Sequence, residues 1–353
     1  MNSRIKKFYS ILERLNFDGM LVSWPANITY LTGYRSRDSY LLVSRKGNFY
    51  FTDSRYSEEA KPELKGVASL LKINGSVFSL IAQTCLDFKL KAVACEGRYL
   101  PYAEYKKISD CLKKKAKLIS THSLIEQARQ IKDPQEIGKI KKAVEVAASA
   151  LKFIRGFIKP GIKEIEVEAE LERFIRYHGA DNSSFDIIVA SGQNCAYPHH
   201  ITSERKIRNN EPVLIDMGAD YQGYKSDLTR VFFLGKINLL AQEIYAIVKE
   251  AQARALKNIR PGAKAADIDR VARDFLTEKG YARFFGHNLG HGVGLDVHEE
   301  PHLSPKSNQV LEPGMVITVE PGIYIAGKLG VRVEDMVLVT EKGYEVLSGS
   351  VSK

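Results

Sequence analysis

Paired cysteines are what this sequence most plainly lacks. Its four, Cys85, Cys95, Cys111 and Cys195, are scattered, with no close-spaced couple. That spacing excludes a zinc knuckle and a redox dithiol, and it predicts reduced thiols in a cytoplasmic protein. Long apolar runs are missing as well. The N-terminal stretch "MNSRIKKFYSILERLNFDGM" spaces Ile5, Phe8, Ile11, Leu12 and Leu15 as a helix does. Charges interrupt it too often for a signal-peptide core or a membrane span, so neither export nor membrane association is expected. Acidic excess is also absent: the net charge is +10, densest at "KKKAK", Lys113 to Lys117. No aromatic-interleaved basic motif accompanies that run. It is read as a solvated lysine face, and nucleic acid is not expected as a partner.

What is present is a folded chain of ordinary composition. At 353 residues, with 44% hydrophobic and 27% charged positions, it is long enough for two domains and a large core. The first part alternates helix and strand signals: a helix near 3 to 16, an apolar "GMLVS", a hairpin in "YLLVSRKGNFYFT" through Lys46 to Asn48, and a strand in "LKAVACE". An α/β domain is expected there. "ARQIKDPQEI" then carries the Asp133-Pro134 break and opens a long periodic helix. The division is placed between Ser120 and Lys132, giving domains at 1–125 and 126–353.

The second part repeats itself. "KPGIKEIEVEAELERFIRYHG" from Lys159 aligns without a gap with "RPGAKAADIDRVARDFLTEKG" from Arg260, an offset of 101. Pro160 falls on Pro261, Gly161 on Gly262, Phe174 on Phe275 and Gly179 on Gly280, and the same offset carries Glu211-Pro212 onto Glu312-Pro313. Two amphipathic helices can resemble each other by chance, but shared boundary glycines and a second match fifty residues on require duplication. Two related halves leave a cleft between them, a common place for a site.

Histidine and carboxylate concentrate beside that expected cleft. "FFGHNLGHGVGLDVHEEP", Phe284 to Pro301, holds three of the eight histidines among four glycines. The glycines oppose a helical zinc-protease arrangement of His287 and His291 and favour extended or looped chain that passes close to a ligand. "VLIDMGADYQGYKSDLTRVFF" reads as strand, turn and strand, bringing Asp216 near Asp227. "MVITVEPGIYIAGKLGVRVEDMVLV" places Glu320 and Glu334 on neighbouring strands in the same way. All four acids are expected at corresponding points of the duplicated unit. Carboxylates in such apolar strands are costly without a cation or protons. Several of them with one imidazole suit two divalent metals, with manganese favoured over zinc, cobalt or iron by the hard oxygen donors.

At these motifs the resemblance is specific. Residues 126 to 345 resemble the pita-bread metallopeptidases, which include Xaa-Pro aminopeptidases, prolidases and methionine aminopeptidases, and the preceding domain resembles the creatinase-type N-terminal domain. The resemblance implies an α/β N-terminal domain followed by an α+β pita-bread domain with an internal pseudo-twofold duplication. It implies Asp216, Asp227, His291, Glu320 and Glu334 as ligands, with Asp227 and Glu334 bridging. His199 and His298 match residues that contact the scissile carbonyl or stabilise the tetrahedral intermediate, and Glu320 matches a proton shuttle. His287 is expected in the substrate pocket or behind the ligands, and Arg332 orients substrate or bridges to acids. His200 is the weaker candidate of its pair because its neighbour already fits the motif, His302 is read as a structural or surface group, and His122 and His178 are given no chemistry.

The implied reaction is hydrolysis of the peptide bond preceding proline by a metal-bridging hydroxide, in a cytoplasmic homodimer acting on proline-containing peptides. Presence of the N-terminal domain favours Xaa-Pro enzymes over methionine aminopeptidases. Dipeptidase and longer-peptide aminopeptidase activities stay open. The alternative is a noncatalytic pita-bread protein that binds peptide, protein or nucleic acid, which the complete ligand set opposes.

Overall fold

The computed structural model describes residues 3–351. The chain divides after Arg129 into two compact units, and no helix among the described residues is long and apolar enough to cross a membrane.

The first unit is a mixed six-stranded sheet flanked by helices. Its strands are β1 (Gly19–Val22), β2 (Tyr40–Ser44), β3 (Phe49–Thr52), β4 (Ser69–Lys72), β5 (Ala92–Glu96) and β6 (Lys117–Thr121), in the order β4-β3-β2-β1-β5-β6. The β2 and β3 strands form an antiparallel hairpin whose loop contains Gly47, while β5 pairs in parallel with β1 and β6. Leu21, Leu42, Phe51, Val93 and Cys95 bury one face of this sheet under Ile81, Cys85 and Ile108. On the N-terminal helix α1 (Ser3–Arg14), Ile5, Phe8 and Leu12 are the buried stripe that the spacing foretold. Cys85, Cys95 and Cys195 are free and buried. Lys113, Lys114 and Lys115 are exposed beyond the sheet's last crossover helix.

The second unit begins with a well-capped helix. Asp133 accepts from the backbone N–H groups of Gln135 and Glu136 at 2.9 Å, and the Glu136 carboxylate accepts from the Asp133 N–H. This reciprocal cap, with Pro134 at the first helical position, starts the 24-residue helix Pro134–Phe157.

The duplication is visible bond by bond. Helix Glu164–Tyr177 in the first half corresponds to Ala265–Glu278 in the second. Gly161 N–H donates to Ile207 O and Gly262 N–H to Leu311 O, both at 2.9 Å. Ile207 returns a bond to Ile162 O and Leu311 one to Ala263 O, both at 2.8 Å. Gly161 and Gly262 have φ of 95° and 81°, a left-handed conformation that explains why glycine recurs there.

Each half carries antiparallel strands beneath its helices. The first half contributes β7 (Asn182–Ser183), β8 (Ile188–Ser191), β9 (Pro212–Met217), β10 (Ala219–Tyr221), β11 (Tyr224–Lys225) and β12 (Leu228–Phe233), in sheets β12-β9-β8 and β11-β10-β7. The second contributes β13 (Gly290–Gly292), β14 (Glu299–Leu303), β15 (Val316–Val319), β16 (Gly322–Ile325), β17 (Leu329–Arg332), β18 (Asp335–Thr340) and β19 (Gly343–Val346), in sheet β14-β13-β15-β18-β19 and hairpin β16-β17.

Buried polar groups join the halves at Arg230 and brace the second half at Gln252. Arg230 of β12, 2% exposed, meets Asp335 of β18 at 2.8 Å and also donates to the carbonyls of Thr229 and Glu334. From helix Leu239–Leu256, the buried Gln252 amide donates to Val319 O at 2.8 Å and Val333 O at 3.2 Å. It thereby holds the chain immediately before Glu320 and before Glu334.

A glycine between the paired strands sets how closely they pass. A Cβ on Gly218 would lie 1.7 Å from the Ser226 carbonyl oxygen, whereas one on Gly286 would meet nothing within 4 Å. Gly218→Ala is expected to destabilise the second unit by about 1–3 kcal/mol, the usual range for forced overpacking. Thermal unfolding should show Gly286→Ala close to the unsubstituted protein and Gly218→Ala clearly below it.

Candidate metal centre

Strand pairing delivers the four carboxylates to one place. Asp216 lies on β9 opposite Thr229, and Asp227 directly precedes β12. Val319 pairs with Asp335, so Glu320 and Glu334 sit just beyond the paired ends of β15 and β18. The turn joining β10 to β11 is Gln222-Gly223, both at positive φ (52° and 87°), as a two-residue hairpin requires.

The acids are not at strictly corresponding points, which corrects the expectation from the repeat. Asp216 is the second-to-last residue of β9, whereas Glu320 follows the last residue of β15. Thr318 holds the register position equivalent to Asp216 and answers it with a hydroxyl. That hydroxyl accepts from the His291 N–H and donates to Glu320 Oε1, both at 3.1 Å. The scaffold is symmetric and the donors are not.

His291 lies on strand, not helix, and points into the acid cluster. Its Nδ1 donates to the Gly292 carbonyl at 3.1 Å. That leaves Nε2 directed at Glu320 Oε1, 3.3 Å away, and Asp227 Oδ2, 3.6 Å away. The neighbouring glycines serve the sheet: a Cβ on Gly290 would lie 2.1 Å from Thr318 O, and one on Gly292 2.2 Å from Glu300 O. They permit strand to approach strand, which in turn carries His291 to the acids.

Three overlapping sets of side chains bring donor atoms within 4.8 Å of one another: Asp216, Asp227 and Glu334; His291, Glu320 and Glu334; and Asp227, His291 and His298. Asp216 Oδ1 is buried with no hydrogen-bond partner. A buried, unanswered carboxylate oxygen amid oxygen donors and one oriented imidazole nitrogen fits divalent cations.

The electrostatics point the same way. Burial, reinforced by the charges of Glu334, Asp216 and Glu320, raises the Asp227 carboxyl well above its ordinary value. Burial and the charges of Glu320 and Asp216 do the same to Glu334. Burial also pushes Glu320 upward, but the His291 hydrogen bond and charge outweigh it and bring it down to about 2. Positive charge is therefore short by more than one imidazole can supply.

Arg332 is the cation that the fold provides. It is 3% exposed and donates to Asp216 Oδ2 at 2.5 Å, to Thr229 Oγ1 at 3.0 Å, to the Tyr324 hydroxyl at 2.8 Å and to Pro198 O at 3.3 Å. Thr229 in turn donates to Glu334 Oε2 at 2.8 Å. Burial holds the Tyr324 hydroxyl protonated, raised to about 12. It stands 3.0 Å from His287 Nε2, whose Nδ1 lies 2.8 Å from Asn288 O. An ordered relay thus runs from Asp216 through Arg332 and Tyr324 to His287.

A cleft of about 840 Å³ opens over this cluster, and His199, His287, His298 and His302 line it. His298 packs against His291 with ring centroids 4.4 Å apart. His200 also lines the cleft, and its Nε2 is held by the fully buried Glu164 at 2.9 Å. Glu164 also accepts from Ser191, Asn194 and Ser203, pinning both ends of the loop that carries His199. His178 stacks on Phe174, and His122 is exposed in the first unit. Tyr324, Thr229, Thr318 and Glu164 were not singled out from sequence. Only Tyr324 had a usable signal, its place in "EPGIY".

Comparison with known proteins agrees with this geometry. Residues 138–341 match metallopeptidase family M24, and residues 4–131 match the creatinase/prolidase N-terminal domain. An uncharacterized peptidase of Bacillus subtilis is 39% identical, covering 98% of each chain. The solved structure of an Xaa-Pro dipeptidase from Bacillus anthracis superposes with a TM-score of 0.95 at 39% identity, covering 99% of this chain and 98% of that one. An X-Pro aminopeptidase from Thermotoga maritima gives 0.87 at 38% identity, covering 95% and 97%. The fold is accordingly a creatinase-type domain followed by the duplicated pita-bread domain.

The raised Asp227 and Glu334 make a pH-dependent expectation. A carboxyl raised in the folded state stabilises the fold below its unfolded value of about 4, and that contribution is lost as pH climbs through the raised value. Divalent cations replace those protons. The difference in melting temperature between manganese-loaded and EDTA-treated protein should therefore widen from pH 5 to pH 8. A constant or shrinking difference would contradict the proton-for-metal exchange.

Proposed function

The chain belongs to metallopeptidase family M24, and from that premise we propose that it hydrolyses the peptide bond preceding proline, as an Xaa-Pro dipeptidase or aminopeptidase P. The observation that carries this reading is the convergence of Asp216, Asp227, His291, Glu320 and Glu334 under one cleft. Likeness over nearly the whole chain to proteins described as Xaa-Pro dipeptidase and X-Pro aminopeptidase supports the proline preference.

These five residues would hold two divalent cations, with Asp227 and Glu334 touching both and manganese favoured over cobalt, zinc or iron. When bound, the cations supply Lewis acidity and an acidified water. Glu320, charged across the working pH range, takes a proton from the attacking water and returns it to the departing proline nitrogen. Burial first, and the neighbouring His291 second, keep His298 below its ordinary value, so at neutral pH it is a neutral imidazole with one N–H to donate. That N–H stabilises the developing oxyanion. His199, on the cleft wall, contacts the same carbonyl. His287 accepts a hydrogen bond from the Tyr324 hydroxyl and orients substrate, and Arg332 fixes Asp216 and that relay.

We further assign residues 1–125 as the creatinase-like domain and 126–353 as the catalytic domain, in a cytoplasmic homodimer acting on proline-containing peptides. Comparing Ala-Pro with Ala-Pro-Ala as substrates separates the dipeptidase from the aminopeptidase.

Two sets of variants test the roles. His298→Ala should keep its metal and lose about 10²- to 10³-fold in turnover, the usual consequence of removing one oxyanion donor. Asp227→Asn and Glu334→Gln should lose metal and activity together. Metal counting after dialysis distinguishes them: full two-metal occupancy in both carboxylate variants removes the bridging assignment, and near-normal turnover in folded His298→Ala returns that histidine to packing.

A further inference from the structure

The segment that marks the boundary in sequence also reaches the catalytic turn. Lys132 precedes the helix cap, and its ammonium ends 2.7 Å from Glu299 Oε1, with side chains only 1% and 6% exposed. Glu299 is the residue after His298. At the point where the turn enters β14 the two side chains part: His298 lines the cleft and packs against His291, while Glu299 is buried against Lys132.

The surrounding bonds turn this pair into an anchor. Lys132 N–H donates to Gly314 O at 3.0 Å, and Gly314 N–H donates to Val339 O at 2.9 Å, so the lysine backbone is tied to the turn that leads into β15. Glu299 pairs in register with Gly292, next to His291. A Cβ on Gly294 would lie 2.5 Å from Glu299 Oε1, so glycine there leaves room for the buried carboxylate. Lys225 N–H holds the other end of the turn by donating to Gly294 O at 2.8 Å. The ammonium therefore adds a side-chain tie at Glu299, the residue beside His298, to the backbone bonds that hold Gly294 and the β13–β14 pair.

We infer that Lys132 is a positioning residue for His298: its buried ion pair with Glu299 sets the direction of the turn that aims the imidazole at the acid cluster. Buried ion pairs contribute little net stability compared with a well-packed apolar pair, and a role in fixing one arrangement is their best-attested use. The inference rests on the role given to His298 above.

Lys132→Met removes the ammonium that Glu299 meets. The paired variant Lys132→Met/Glu299→Leu replaces both members of the ion pair with apolar groups and carries the test if the single variant fails to fold. With manganese and Ala-Pro, the expected result is a kcat lower by about 10- to 100-fold, with metal content and KM within a few-fold of the unsubstituted enzyme, as a displaced catalytic group produces. In a His298→Ala background the same substitution should cause no further loss, because its effect passes through that imidazole. An equal loss in both backgrounds overturns the inference.

Amide hydrogen exchange gives a readout free of catalysis. Amides of residues 293–299 should exchange faster in either variant, while β15 and β18 stay as protected as before. Unchanged exchange at 293–299 overturns the inference. If the unsubstituted enzyme cleaves no Xaa-Pro peptide, the peptidase reading fails by itself, and the exchange result still decides the anchoring.

Discussion

Repulsion among four converging carboxylates, three of them buried and the fourth partly so, is the constraint that the second unit is built to withstand. Two unit charges about 4 Å apart repel by about 4 kcal/mol at an effective dielectric near 20, and here Asp216, Asp227, Glu320 and Glu334 converge with one imidazole and one guanidinium. Such a cluster opens unless its backbone supports are fixed independently. The Arg230 and Asp335 pair, the Gln252 amide and the tight Gly218 passage all act on the chain beside an acid without sharing its carboxylate.

Arg332 has a different part. Its guanidinium neutralises one charge, and its remaining donors are used on Thr229, Tyr324 and the Pro198 carbonyl, so it connects the acids to His287 and to the loop of His199. The geometry of that fork matters as much as its charge. A lysine at this position would retain the positive charge and lose the several fixed directions in which arginine donates.

Much of this was legible in the amino-acid sequence because it is local or repeated. The α1 stripe, the hairpin around Gly47, the Asp133-Pro134 cap and the paired glycines at 161 and 262 each follow from a short pattern. The pairs Asp216 with Asp227 and Glu320 with Glu334 were legible in the strand-turn-strand patterns and the repeat, whereas the choice of His291 as the imidazole among them came from motifs matched to a family. What stayed hidden were partnerships between distant side chains: Lys132 with Glu299, Glu164 with His200, and Arg230 with Asp335. Burial of a charged residue depends on what arrives beside it from elsewhere in the chain, and no periodicity records that. The repeat even misled in one respect, by suggesting equivalence between Asp216 and Glu320 where register pairs Asp216 with the place of Thr318.

That displaced acid bears on direction. A cleft with true twofold symmetry would receive a peptide equally well in either orientation, because each half would present the same groups to the amino end and to the carboxyl end. Here Asp216 and Thr318 differ, and His291 and His298 come from one half while His199 comes from the other. A polypeptide has a sense, N to C, and a hydrolase must tell the acyl side of a bond from its amine side. The two-residue offset between otherwise matching strands gives the duplicated cradle a head and a tail.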